Sequence, residues 1–164
     1  MVCDDDDPCT TDTCDPILGC VYTPIPGCGD QGCTPGFWKA NADNWQANSW
    51  PVAPSTKVNT VFTIPGCVNS SYGNLTLREA LSLKGGSGIN GAAQILLRIG
   101  TGAYLNALSG CVDYAQAVED VVADVNAALA SCDRGEILGL ASTLDFQNNA
   151  GCPLNQHGDC ANAD

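Results

Sequence analysis

Apolar residues recur at helical spacing over most of the second half of the chain, and this pattern sets the predicted elements. Residues 113 to 132 place Tyr114, Val118, Val121, Val125, Ala128 and Cys132 at alternating steps of four and three, with Asp113, Glu119, Asp120 and Asp124 mostly off that stripe. That is an amphipathic helix with one wet face. Residues 91 to 109 are apolar on nearly every side, with Arg98 the one charge, so this stretch is the candidate central helix. Ile137, Leu138, Leu140, Ala141 and Leu144 carry a last helix, opened by Asp133-Arg134-Gly135-Glu136 and closing near Asn148-Asn149.

Two shorter helices come earlier. Thr34-Pro35 pairs an N-cap with proline at the first helical position and opens a helix through Phe37, Trp38, Ala42 and Trp45. Thr76-x-x-Glu79 has the form of a capping box before Leu77, Ala80, Leu81 and Leu83. Val58 to Ile64 is rich in β-branched residues between prolines and predicts a short strand or extended loop. The fold class expected is mainly α: a disulfide-linked domain of about five helices.

The first 32 residues follow another rule. They hold five cysteines, seven aspartates and four prolines with no Lys or Arg, too little apolar surface for a core, so crosslinks must hold them. Gly29-Asp30-Gln31-Gly32 reads as a linker, dividing an acidic module at 1–32 from a helical domain at 33–164. Val21-Tyr22-Thr23-Pro24-Ile25-Pro26-Gly27-Cys28 echoes Val61-Phe62-Thr63-Ile64-Pro65-Gly66-Cys67. The two segments either pair in one small sheet or are similar by chance.

Charge and composition narrow the function. Against 18 acidic side chains stand six basic ones, and the net charge of −12 repels phosphate backbones and anionic lipid. Nucleic acid is excluded as an expected partner. No run of about 18 apolar residues is present to span a bilayer. Met1 passes directly to Val2, Cys3 and aspartates, with no basic start or apolar stretch, so no signal peptide is expected here and Met1 reads as a start placed before a mature sequence. Eleven cysteines spread from Cys3 to Cys160 point to disulfides formed in an oxidising compartment, secreted or at the cell surface.

Eleven is odd. The expectation is that Cys3, Cys9, Cys14 and Cys20 close the first loop, Cys33 clasps Cys160, and Cys67, Cys111, Cys132 and Cys152 supply further bridges. Cys28, in the linker, is the expected orphan, unpaired or bonded to a neighbouring subunit.

Candidate chemistry is sparse. Asp4, Asp5, Asp6, Asp7, Asp12 and Asp15 crowd one stapled loop with no nearby cation and repel one another unless neutralised. Calcium suits such hard oxygens, the segment has no imidazole for zinc, and the spacing is not that of an EF-hand; the alternative is a solvated acidic face. The one histidine, His157, lies in a polar tail, and Asp145 is its one candidate orienting partner in a weak hydrolase reading. No Gly-x-Ser-x-Gly elbow accompanies them, and Lys84-Gly85-Gly86-Ser87-Gly88 lacks the end of a phosphate loop. An enzyme is not expected. Trp38, Trp45 and Trp50 favour core packing over a sugar-stacking platform, since Trp38 and Trp45 are seven apart and share a helical face. Asn69-Ser70-Ser71 and Asn74-Leu75-Thr76 are glycosylation sequons on a predicted loop.

Two resemblances add to this. Cys3-x5-Cys9-x4-Cys14-x5-Cys20 resembles the short cysteine-rich repeat first noted in slime-mould extracellular-matrix proteins and common in secreted bacterial proteins, with Asp4-Asp5-Asp6-Asp7 where the repeat usually has Asp-Asp-Gly-Asn. Cys33-Thr34-Pro35-Gly36-Phe37-Trp38-Lys39, Leu144-Asp145-Phe146-Gln147-Asn148-Asn149-Ala150 and the closing His157 and Cys160 resemble a helical domain of secreted microbial proteins that opens with Cys-Thr-x-Gly-Tyr/Phe-Trp-Lys. Both imply extracellular architecture. The function expected is a structural subunit of a filament, sheath or surface matrix, partnered by copies of itself; the alternative is a calcium-dependent module that binds carbohydrate or a surface protein.

Overall fold

The computed structural model describes residues 2–5, 10–25, 29–43, 50–155 and 160. A two-stranded antiparallel hairpin, β1 (Thr10–Asp15) and β2 (Gly19–Pro24), precedes five helices: α1 (Pro35–Ala40), α2 (Leu77–Ala80), α3 (Gly88–Leu108), α4 (Val118–Ala130) and α5 (Arg134–Asn148). The expected mainly α architecture with a small disulfide-linked β element at its N-terminus is what the chain adopts.

α3 is the centre. Twelve of its 21 residues are buried, and α1, α2, α4 and α5 all pack against it. Leu96, Leu97 and Leu105 meet Val121, Val125 and Leu129 of α4 and Ile137 and Leu144 of α5 in one core. Gly100 lets α4 close in, because a Cβ there would stand 3.1 Å from Val125 Cγ2.

Local signals act as expected at the helix starts. Thr34 accepts from the Phe37 amide, Thr76 and Glu79 form the full capping box, and Asp133 accepts from the Glu136 amide. α4 stops at Cys132, whose φ of 54° is the left-handed conformation more often given to glycine; its bridge to Cys67 anchors it there.

Several expectations need correction. α1 ends at Ala40 with Asn41 as cap, so the helix stops short of Ala42, and Trp45 lies outside the described residues. Val58 to Ile64 is no strand: Val58–Thr60 is a 3-10 turn, and Phe62 N bonds Val58 O at 2.8 Å. Burial decides this, since the turn puts Val58 and Phe62 on one side, both essentially inaccessible to solvent. Lys57 and Thr76 form only an isolated bridge. Among the described residues the segments 21–25 and 61–67 share no sheet, Val21 pairing with Thr13 in the hairpin; residues 26–28 lie outside those described.

The linker is also tied down. Gln31 N donates to Asp113 O at 3.0 Å, Asp113 N returns to Gln31 Oε1 at 2.9 Å, and Gly32 pairs with Gly151. A side chain at residue 32 has no room, since its Cβ would collide with Gln147 O at the end of α5.

A buried amide network fastens this entry of the chain to the core. Asn106 Oδ1 accepts from Cys33 N at 2.8 Å and Trp38 Nε1 at 3.1 Å, while its Nδ2 donates to Cys33 O at 2.8 Å and Asn148 Oδ1 at 3.0 Å. Asn148 Oδ1 also accepts from Tyr114 OH, and its Nδ2 donates to Ile99 O. Replacing Asn106 by Ala strands several buried partners at a cost of about 1–3 kcal/mol each. Asn106→Ala is therefore expected to lower unfolding free energy by at least about 3 kcal/mol in denaturant titration, whereas Asn74→Ala on the surface is expected to stay within about 0.5 kcal/mol.

Candidate functional site

The candidate site is the acidic hairpin, and its shape follows from its turn. β1 and β2 are joined by Pro16-Ile17-Leu18, with Asp15 opposite Gly19. Proline favours the first turn position and Gly19, at φ 84°, takes the left-handed one, as in a three-residue hairpin loop. Asp15 Oδ1 accepts from Ile17 N at 2.7 Å and Leu18 N at 2.8 Å, and these amides hold its carboxyl below the usual carboxylate range. Cys3 is bonded to Cys20, Cα atoms 5.3 Å apart, which ties the segment before β1 to β2. Cys14, directly across from Cys20, has its sulfur 2.7 Å from Cys3 Sγ.

The structure gathers only part of the expected carboxylate set. Asp4, Asp5 and Asp12 each bring a carboxylate oxygen within 4.8 Å of the others. Asp5 N donates to Asp12 Oδ2 at 3.2 Å, and Thr10 Oγ1 lies 2.8 Å from Asp5 Oδ1 and 3.0 Å from Asp12 Oδ1. These three could hold a hard cation between them. Asp15 is not part of this group, its Oδ1 being taken up by the Ile17 and Leu18 amides of the turn. Asp6 and Asp7 lie outside the described residues, as do Cys9, Cys28 and His157.

The disulfides of the helical part differ from expectation. Cys33 bonds Cys152, not Cys160, and Cys160 bonds Cys111; Cys67 bonds Cys132. Packing explains the exchange: Asn106 fixes Cys33 against α3, and the Gly32–Gly151 bridge brings the residue after Gly151 to it. Spacing carries no such information.

Trp38 and Trp50 are core residues, edge to face at 6.4 Å, with Trp50 Nε1 donating to Trp38 O. Asn69 and Asn74 are exposed on one 3-10 turn, where Asn69 Oδ1 caps the Ser71 amide. Asp145 accepts from the side chain of Asn149, a helix-end contact.

Sequence reasoning missed three surface features. Ile17 and Leu18 at the hairpin tip are 90% and 76% exposed. Phe146 is 82% exposed over an open apolar hollow lined by Ala115, Ala150 and Gly29. Lys84, Arg98 and Arg134 gather on one loop. Phe146 was findable, since it falls off the Ile137–Ala141–Leu144 stripe; the cation cluster, drawn from three elements, left no local signal.

Residues 2–25 match the family model of a Dictyostelium (slime mold) repeat. Protein psiQ of Dictyostelium discoideum is 65% identical over 26 residues, 16% of this chain. The chain matches 3% of that relative's length. No solved structure matches. The N-terminus thus carries a slime-mould-type cysteine-rich repeat, and with its disulfides the chain is consistent with a secreted or surface protein. No helix among the described residues is long and apolar enough to cross a membrane.

Asp15 supplies a direct test of the turn. Its stabilisation of the hairpin is present above the pKa of an unfolded aspartate and is lost as pH falls through the lowered folded value. In a proton NMR titration the Ile17 and Leu18 amide signals are expected to move with a midpoint below that of free aspartate, and Asp15→Asn is expected to abolish that titration.

Proposed function

We propose that the chain is a secreted structural subunit of an extracellular filament, sheath or surface matrix, whose N-terminal module contacts neighbouring subunits. One observation carries this reading: none of the described residues from 2 to 23 is buried, although the segment is paired, capped and covalently stapled. A stiff element without a core of its own is suited to contact something else. The apolar tip at Ile17 and Leu18 supports the same role. The resemblance of residues 33–160 to a helical domain of secreted microbial proteins points the same way, and the exposed glycosylation sequons at Asn69 and Asn74 fit an extracellular site. A catalytic role is not proposed, since Asp15, Glu79 and Asp133 each serve a turn or a helix cap.

The second reading is a calcium-dependent binding module for carbohydrate or a surface protein, favoured by the approach of Asp4, Asp5 and Asp12. Calcium there removes the mutual repulsion of the carboxylates. The two readings separate in negative-stain microscopy and sedimentation of the full chain with and without chelator. Polymers or discrete oligomers that survive chelation support the structural reading. A monomer under every condition that binds calcium in calorimetry, with Asp12→Asn weakening binding about tenfold or more, supports the second.

A further inference from the structure

In a chain of net charge −12, half of the six basic residues meet on one short loop. Arg98 on α3 donates to Leu83 O at 2.9 Å, and Arg134, the first residue of α5, donates to Gly86 O at 3.1 Å and Gly88 O at 2.5 Å. Lys84 stands between those carbonyls in sequence, is exposed, and has no hydrogen bond or ion pair among the described residues. α3 starts from the same loop, at Gly88, and Ser87 gives it no side-chain cap, so the positive end of a 21-residue helix adds to the field. The carboxylates nearest these cations in sequence are Asp133 and Glu136 beside Arg134 and Glu79 five residues before Lys84; Asp133 Oδ1 is turned onto the Glu136 amide and Glu79 Oε2 accepts from the Thr76 amide.

Of the other three basic residues, Arg78 is ion-paired with Asp43, Lys57 donates to Asn74 O and attracts Glu79, and Lys39 stands exposed in the last turn of α1. Among the described residues neither Arg98 nor Arg134 has a carboxylate within ion-pair distance, and backbone carbonyls hold both guanidinium groups in place. A fixed guanidinium loses little freedom on meeting an anion.

At the other end of the chain, residues 1–32 carry seven aspartates and no cation, with Asp4, Asp5 and Asp12 drawn together. We infer that Lys84, Arg98 and Arg134 form the docking surface for this acidic arm of a second copy of the chain. The inference rests on the self-assembling reading above and names the contact through which it works. The contact is heterologous, arm to loop, so it repeats from copy to copy into a ring or an open filament and not a closed pair. Calcium at the arm competes with it, and salt weakens it.

The test is charge reversal in the full chain, read by sedimentation velocity and negative-stain microscopy, with thermal melting to establish that each variant is folded. Lys84 has no packing role, so Lys84→Glu is expected to melt with the wild type and to raise the concentration needed for assembly roughly tenfold. The arm change Asp4→Lys with Asp5→Lys is expected to do the same, and the combined chain, carrying both reversals, is expected to recover assembly. Wild-type assembly that Lys84→Glu leaves untouched overturns the docking surface and leaves the structural reading standing; so does a Lys84→Glu chain that loses binding to a sulfated polysaccharide while still assembling. Loss of assembly in Lys84→Glu without recovery in the combined chain overturns the arm as the occupant. A wild type that stays monomeric at every concentration and salt level overturns both the docking surface and the structural reading.

Discussion

A side-chain amide with no access to solvent must have every hydrogen bond satisfied or pay for its desolvation, and Asn106 and Asn148 meet that demand together. Their shared bond decides where the chain can start its helical part. Asn106 grips Cys33 by both its amide and its carbonyl, the same oxygen receives the Trp38 indole, and Asn148 takes the Tyr114 hydroxyl. Burial pushes the Tyr114 phenol up, so it keeps its proton and remains a donor. Four segments distant in sequence are fixed relative to one another by two amides.

The disulfides follow from that arrangement. Once Cys33 is seated on α3 and Gly32 faces Gly151, Cys152 is the partner within reach, at a Cα separation of 4.4 Å. Cys160 is left for Cys111, and Cys132 at the end of α4 reaches Cys67 on a neighbouring turn. Each bridge closes a long loop and contributes on the order of 2–4 kcal/mol by restricting the unfolded chain.

Legibility in the sequence follows the range of the interaction. Thr34, Thr76, Asp133 and the apolar stripes of α3, α4 and α5 act over three or four residues, so spacing exposes them. The 3-10 turn at Val58 was hidden, because β-branched composition argues for extension while burial of Val58 and Phe62 on one core argues for a turn, and burial won. The acidic site was half legible. Counting carboxylates cannot tell Asp4, Asp5 and Asp12, which come together, from Asp15, whose oxygen is used by its own turn, a geometry that depends on Gly19 closing the hairpin. Cysteine pairing was not legible, because spacing does not encode which helices meet.

The two ends of the charge distribution place a constraint on what this chain can join. With 18 acidic and six basic residues, copies repel one another at long range, and at physiological salt that repulsion is felt only within roughly 8 Å. In the proposed assembly, association therefore depends on contacts that set the arm against the few cations present, or that neutralise the arm beforehand. Apolar burial at the Ile17–Leu18 tip gains only when the charges behind it are matched, because Asp15 belongs to the same turn and comes into the contact with it. In the proposed contact the tip supplies area and the carboxylates supply direction, which suits a hairpin without a core of its own to selecting a partner by charge.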